Sequence, residues 1–288
     1  MATVGQALRD AAIALESDEG RGEAELLLAH ALQQTRVWLV AHDRDELEPE
    51  ARLRFAGFLQ RRRRGEPVAQ IVGQRGFWTL DLVVTTDTLI PRAETERLVE
   101  LALQHLPNDK SVRVLDLGTG TGAIALAIAS ERSDIEVTAV DVDARTLAVA
   151  QKNAARLGLD RVRFLRSDWF SALAGEMFTM IVANPPYIAE DDSHLDEGDL
   201  RYEPRLALAS GPDGLDAIRR IVVAAPNHLV SGGALLIEHG WKQGEAARAL
   251  MVASGFAEVV THADLENRER VTLGKALNYS VRGEPVEP

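Results

Sequence analysis

The chain has 288 residues, 46% of them hydrophobic, enough to bury one sizeable core and a smaller second one. It has no cysteine, which excludes disulfides, thiolate nucleophiles and zinc ribbons; its seven histidines (30, 42, 105, 194, 228, 239, 262) lack ligand spacing, so no metal is expected. A formal net charge of −12 disfavours tight, non-specific contact with a phosphate backbone, and no apolar run approaches the roughly 20 residues that span a bilayer.

Met1-Ala-Thr-Val-Gly-Gln-Ala has neither a basic n-region nor an apolar h-region, so no secretory signal is read and a cytoplasmic location is expected. Residues 1–72 read as a small helical bundle. Val4, Leu8, Ala11, Ala12 and Leu15 recur at helical spacing, as do Leu27, Leu28, Ala31 and Leu32, and then Leu53, Phe55, Phe58 and Leu59. The basic run Arg61–Arg64 closes the last of these stretches. It reads first as a solvated helix end, where cations suit the C-terminal dipole, and second as a contact for an acidic protein or RNA. Residues 73–88 switch to strand-like composition around Phe77–Val84, and a hairpin linker is expected there. A helix is expected from about Pro91, the proline taking the first helical position.

From residue 112 strand and helix patterns alternate, the mark of a mostly parallel sheet. Strands are expected near 112–117, 135–140, 161–166, 178–183, 233–238, 256–260 and 270–275, and helices near 122–131, 143–157, 213–229 and 241–253. Thr261 to Glu269 is polar and too short for a helix, so the final two strands should form an antiparallel hairpin at the sheet edge. A tail over 280–288 is expected to be disordered.

Two constellations carry chemistry. In the first, Val112–Leu117 runs into Gly118-Thr119-Gly120-Thr121-Gly122 and then an alanine-rich helix, a turn that lets a ligand approach backbone at a helix N-terminus. The spacing is GxGxG rather than the GxGxxG of dinucleotide sites, and Asp116 suits an amino-bearing or cationic ligand better than pyrophosphate. Asp141 closes the next strand, where a carboxylate can accept both ribose hydroxyls, although NAD proteins use the same device. Ser167, Asp168 and Trp169 follow the third strand, where Asp168 would accept from an adenine amino group and Trp169 would pack on the ring or simply fill core. An adenosyl pocket without a phosphate clamp points to S-adenosylmethionine rather than NAD.

The second constellation is Asn184-Pro185-Pro186-Tyr187, directly after the apolar run Phe178–Ala183. Two prolines fix φ near −65°, remove two donors and hold the preceding residues extended. The resulting bracket of acceptors beside an aromatic wall suits a planar –NH2 group whose lone pair must face a reagent.

Taken in order, Asp116-Leu-Gly-Thr-Gly-Thr-Gly, Asp141, Ser167-Asp-Trp and Asn184-Pro-Pro-Tyr resemble the class I, Rossmann-like methyltransferases that alkylate planar nitrogen. With Leu89-Ile-Pro-Arg-Ala-Glu-Thr-Glu96, Arg201-Tyr-Glu-Pro204 and Asn267-Arg-Glu-Arg-Val-Thr-Leu-Gly274, the chain resembles the peptide chain release factor glutamine methyltransferase family from the N-terminal bundle to about residue 279. The resemblance implies a seven-stranded, mostly parallel α/β methyltransferase domain over 89–279 with an antiparallel C-terminal hairpin. It also implies methyl transfer from S-adenosylmethionine to the glutamine amide of the Gly-Gly-Gln loop of bacterial class-1 release factors, with no direct nucleic-acid or membrane partner.

On that basis Gly118, Thr119, Gly120, Thr121, Gly122, Asp141, Asp168, Trp169 and Asn184 are expected at the cofactor. Asn184, Pro185, Pro186 and Tyr187 are expected at the substrate, with Asn184, Pro185 and Tyr187 serving the chemistry. Residues 1–72 are expected to dock the release factor. Tyr202, Glu203 and Pro204 are placed at the substrate rim, Arg92 either on the cofactor carboxylate or at a helix start, and Glu238-His239 in the core. Two rivals stand beside this reading. One is a nucleic-acid amino methyltransferase, which would need an electropositive face to flip a base; the other is a binding protein that kept the fold without turnover.

Overall fold

The computed structural model describes residues 2–17, 19–108 and 111–277. The tail at 280–288 and positions 278 and 279 lie outside the described residues. The chain divides after Gln74 into two units.

The first unit is helical: α1 (Val4–Leu15), α2 (Gly20–Leu32), α3 (Arg36–Ala41), α4 (Pro49–Arg63) and α5 (Val68–Val72). Thr3 and Thr35 cap α1 and α3, their hydroxyls accepting from the Gln6 and Trp38 amides at 3.2 Å and 3.2 Å. Those amides have no partner inside their own helices. Pro49 opens α4, where its missing donor is harmless. Val4, Leu27, Leu28, Leu39 and Phe55 form the core. Within the basic run, Arg62 forks onto Glu23 at 2.8 and 3.0 Å and Arg61 forks onto Glu66, so these two guanidiniums are neutralised inside the unit.

The second unit, from Arg75 on, carries a hairpin, β1 (Gln74–Phe77, whose first residue closes the first unit) and β2 (Leu80–Val83), and then α6 (Glu96–His105). The sheet elements follow as β3 (Arg113–Leu117), α7 (Ala123–Glu131), β4 (Glu136–Asp141), α8 (Ala144–Leu157), β5 (Arg163–Arg166) and β6 (Phe178–Ala183). After them come α9 (Asp216–Ala224), β7 (Leu229–Glu238), α10 (Gly244–Ala253), β8 (Phe256–Ala263) and β9 (Glu269–Ala276). The seven strands lie in the order β5-β4-β3-β6-β7-β9-β8, parallel except for β9, which runs against both neighbours. This is the class I methyltransferase sheet with its antiparallel edge hairpin. β3 and β6 are buried along nearly their whole length because helices cover both faces. α7 is buried from Ala123 to Ala129, and its alternation of Ala with Ile and Leu leaves it no polar face. Strand order reverses between β3 and β6, which opens a crevice at their C-terminal ends.

Several boundaries differ from the sequence pattern. The helix expected from Pro91 starts later, with a 3-10 turn at Ala93–Thr95, because Ile90 donates its amide to Glu203 at 2.8 Å and Arg92 pairs with the same carboxylate, holding Ile90–Arg92 extended. The helix expected over 213–229 is α9 followed by a 3-10 turn, since Pro226 has no amide to continue it. β8 runs on to Ala263 because Thr261 pairs across the hairpin with Thr272, Oγ1 to Oγ1 at 2.8 Å, so a segment that reads as polar loop is edge strand.

Candidate active site

At the end of β3 the glycine turn adopts left-handed geometry at Gly118 (φ 72°), Gly120 (φ 58°) and Gly122 (φ 84°). Gly122 is required for a second reason: a Cβ there would stand 2.9 Å from Leu126 Cδ1 of α7. The turn folds back over Asp116. Its Oδ2 accepts from the Thr119 hydroxyl at 2.6 Å and the Ala125 amide at 3.2 Å, and the residue is completely buried. Burial pushes the Asp116 carboxyl up to about 7, against these two hydrogen bonds. Asp116 therefore ties the turn to α7 and does not line the cleft, contrary to the expectation that it meets an amino-bearing ligand directly.

Asp141, closing β4, does line the cleft. Its Oδ2 accepts from the Gly120 amide at 3.0 Å and its Oδ1 from the Asp143 amide at 3.1 Å, so the carboxylate is held rigidly with lone pairs to spare. Burial raises its pKa, and the same amides oppose the rise. After β5, Trp169 sits at φ 50°, a strained position for an aromatic residue. Ser167 fixes it by donating to the Trp169 carbonyl at 2.7 Å and accepting from the Ala172 amide at 3.0 Å. The indole packs over Gly118, where a Cβ would lie 3.5 Å from Trp169 Cζ3. Asp168 stands at the rim, paired with Arg220 at 2.8 Å.

Asn184 and Pro186 line the same cleft, which has a volume of about 710 Å³. Gly118, Thr119, Gly120, Thr121, Asp141, Asp168 and Trp169 complete that part of its wall. Gly122, Pro185 and Tyr187 do not line it. Pro185 is buried, and Tyr187 is packed beneath, its hydroxyl 3.4 Å from Glu238 Oε1 and its carbonyl accepting from Gln243 Nε2 at 3.0 Å. Burial raises the Tyr187 pKa further, so the phenol stays protonated.

Four arginines reach the cleft, and each already faces a carboxylate: Arg92 with Glu203, Arg145 with Asp87 at 3.1 Å, Arg205 with Asp196 at 3.2 Å and Arg220 with Asp168. Against them the wall carries Asp87, Asp141, Asp143, Asp168, Glu190 and Asp216. The cleft is acidic on balance and holds no spare cation for a pyrophosphate.

Among curated proteins, the chain is 52% identical to the release factor glutamine methyltransferase of Pseudomonas aeruginosa over 96% of its own length and 99% of that protein's. It is 49% identical to the one from Escherichia coli, over 93% and 97% respectively. The chain belongs to the release factor glutamine methyltransferase family. Two family models agree with this, the PrmC N-terminal domain over residues 6–73 and the methyltransferase small domain over 91–198. Among solved structures, the 16S rRNA N2 G1207 methyltransferase of Thermus thermophilus, in complex with AdoMet and guanosine, matches 70% of this chain and 49% of its own at a TM-score of 0.51 and 21% identity, a likeness of fold.

Sequence reasoning missed three connections in this family member. Thr95 accepts from Asn184 Nδ2 at 3.0 Å across 89 positions of chain. Glu203 receives both the Ile90 amide and Arg92, so Arg92 ties the 3-10 turn to the Arg201-Tyr-Glu-Pro204 segment; burial raises the Glu203 pKa, and the Arg92 charge resists it. Asn153, completely buried on α8, clamps Val83 through both its amide and carbonyl at 2.7 and 3.0 Å and the Thr121 carbonyl at 2.9 Å, joining the hairpin to the glycine turn. A lone Asn on the apolar face of a helix was the only available signal for the last, and it names no partner.

Proposed function

We propose that this chain transfers a methyl group from S-adenosylmethionine to the side-chain amide nitrogen of the Gly-Gly-Gln glutamine in class-1 release factors. Family membership supports the reaction. The observation that carries the site assignment is that Asn184 and Pro186 share one cleft with the glycine turn and Asp141, at the reversal of strand order. S-adenosylmethionine fits the donor set: Asp141 has lone pairs for ribose hydroxyls, Trp169 offers a flat wall, and the acidic, arginine-quenched lining suits a cationic sulfonium rather than a diphosphate. When bound it supplies an electrophilic methyl group.

The residues of the chain supply orientation. An amide nitrogen is a weak nucleophile because its lone pair is delocalised into the carbonyl. Asn184 Oδ1, in the cleft wall, accepts an amide hydrogen and turns the lone pair toward the methyl carbon. It stabilises the positive charge that builds on nitrogen as the new C–N bond forms and the methyl–sulfur bond breaks to release S-adenosylhomocysteine. The Pro185 carbonyl, expected to accept the other hydrogen, does not line the cleft and is given no contact. Pro186 stiffens the bracket and Tyr187 backs it. The protonated product amide is acidic enough to lose its proton to water, so no general base is assigned. Residues 1–72 dock the body of the release factor, and the enzyme works in the cytoplasm. A nucleic-acid substrate is disfavoured by the net charge of −12 and the paired cleft arginines.

Methyl transfer to purified release factor, read by mass at the glutamine, tests the assignment. Asn184→Ala should lower kcat about a hundredfold or more while S-adenosylhomocysteine affinity stays within about threefold. A kcat within a few-fold of the parent would remove Asn184 from the chemistry.

A further inference from the structure

We propose that the turn after β7 and the tip of the β8–β9 hairpin form a docking platform for the release factor, with Trp241 and Leu265 as its apolar anchors. This rests on the release factor as substrate and deepens that reading, since it places part of the protein–protein contact directly beside the bracket.

Both loops leave the sheet at the end where the cleft opens. β6 and β7 finish together, Ala183 pairing with Ile237, and Glu238 at the end of β7 pairs with Val271 near the start of β9. The tip at 264–268, which joins β8 to β9, therefore projects from the same edge as Asn184-Pro-Pro-Tyr187. The two loops are stapled to each other. The His239 amide donates to the Arg270 carbonyl at 3.0 Å, and Arg270 Nη1 donates back to the His239 carbonyl at 3.4 Å. The same buried guanidinium pairs with Asp264 at 3.4 Å, and Asp264 Oδ1 accepts from the Glu266 and Arg268 amides at 3.0 and 3.0 Å, which fixes the tip. The turn after β7 is also tied to the bracket: Gln243 accepts from the Gly240 amide at 2.9 Å and donates to the Tyr187 carbonyl at 3.0 Å. One side chain separates the turn from the backbone of the substrate site.

This rigid frame carries two apolar side chains that the fold does not use. Trp241 is 55% exposed, Leu265 is fully exposed, and neither belongs to a hydrophobic cluster of the molecule. A leucine at a hairpin tip stands where turn chemistry favours small polar residues. Lys242 Nζ lies 4.6 Å from the centre of the indole, a cation–π contact that orients the ring at the surface. A large aromatic on a fixed backbone loses little rotamer freedom on binding, which makes it the usual anchor of a protein interface. Charge argues against a nucleic acid here. Arg248, Arg268 and Arg270 already face Glu269, Glu266 and Asp264, so three of the local cations are neutralised and apolar area is what the platform offers. A polypeptide whose glutamine side chain enters the cleft has to cross this rim, and the platform is joined to that rim through Gln243.

The test is steady-state methylation by the full chain of two substrates, intact release factor and a short Gly-Gly-Gln peptide. Trp241→Ala should raise KM for intact factor about tenfold or more, with kcat, S-adenosylhomocysteine affinity and peptide KM each within about twofold of the parent. Trp241→Phe should stay within about threefold, because a flat apolar ring returns to the same place. Leu265→Asp, at a position that packs on nothing, should raise KM for intact factor about fivefold or more without changing the melting temperature. The inference is overturned if both Trp241→Ala and Leu265→Asp leave that KM within about twofold, or if peptide KM rises as much as that for intact factor. A fall in kcat at unchanged KM would overturn it too, by making the turn a support for the bracket alone. Sedimentation of the enzyme alone adds a further outcome: a dimer that Trp241→Ala dissociates would give the face to a second copy and overturn the assignment. A parent enzyme that methylates neither substrate would instead remove the release factor reading itself, so the two failures are distinguishable.

Discussion

Gly214 is the position where a single methyl group should disturb the bracket most. It lies before α9 at φ 75°, and a Cβ there would stand 2.3 Å from the Tyr187 carbonyl oxygen and 2.9 Å from both the Tyr187 carbonyl carbon and Gln243 Nε2. Ordinary contact begins at 3.4 Å, so Gly214→Ala must drive the Tyr187 backbone, or its own loop, about 1 Å away. Holding alanine in left-handed geometry costs about 1–2 kcal/mol, and losing the 3.0 Å bond from Gln243 to the Tyr187 carbonyl costs about 1 kcal/mol more. The sum, about 2–3 kcal/mol, lowers the melting temperature of a unit of this size by about 4 to 12 °C. A displacement of 1 Å at Tyr187 also moves the bracket, and misplacement on that scale slows a positioned reaction about a hundredfold. Calorimetric melting and single-turnover methylation read the two effects separately, and S-adenosylhomocysteine titration shows whether the glycine-turn side is untouched. A variant that melts within about 2 °C of the parent and turns over within about threefold would refute the view that the bracket is stiff and backed from below.

Asp141→Ala should weaken S-adenosylhomocysteine binding about a hundredfold, two hydrogen bonds to a charged acceptor being worth about 3 kcal/mol together, with kcat at saturating cofactor nearly unchanged; a lower kcat at unaltered affinity would contradict the ribose assignment. Asp116 has its pKa raised by burial from 3.8 to about 7, so its contribution to stability is fully present below about pH 4 and is lost as pH rises toward 7. Asp116→Asn keeps both hydrogen bonds, because both run to one oxygen, and removes the charge. Its stability relative to the parent should therefore rise by about 3 kcal/mol between pH 5 and pH 8 in urea titrations, and a pH-independent difference would show that Asp116 is not a buried, strained charge. Deleting residues 1–72 should raise KM for intact release factor far more than for a short Gly-Gly-Gln peptide, and equal effects on both would argue against docking by the first unit.

Residue identity and spacing alone decide a good deal here. The alternation after residue 112, the short polar connection near 264–268, the glycine turn, Asp141 and Asn184-Pro-Pro-Tyr187 are all legible as local patterns, because each is set by backbone geometry or by a run of apolar side chains along one strand. What they specify is a parallel sheet with ligand-binding turns at its strand ends. Tertiary structure decides what each polar side chain answers to. Asp116 reads as suited to a ligand and is a staple for the turn; Arg92 reads as a cofactor contact or a helix start and belongs to Glu203; Asn184 reads as part of the bracket and also donates to Thr95. Partners 89 and 111 positions apart leave no periodic trace in sequence, since a hydrogen bond needs two atoms within about 3 Å and only the folded sheet brings them there.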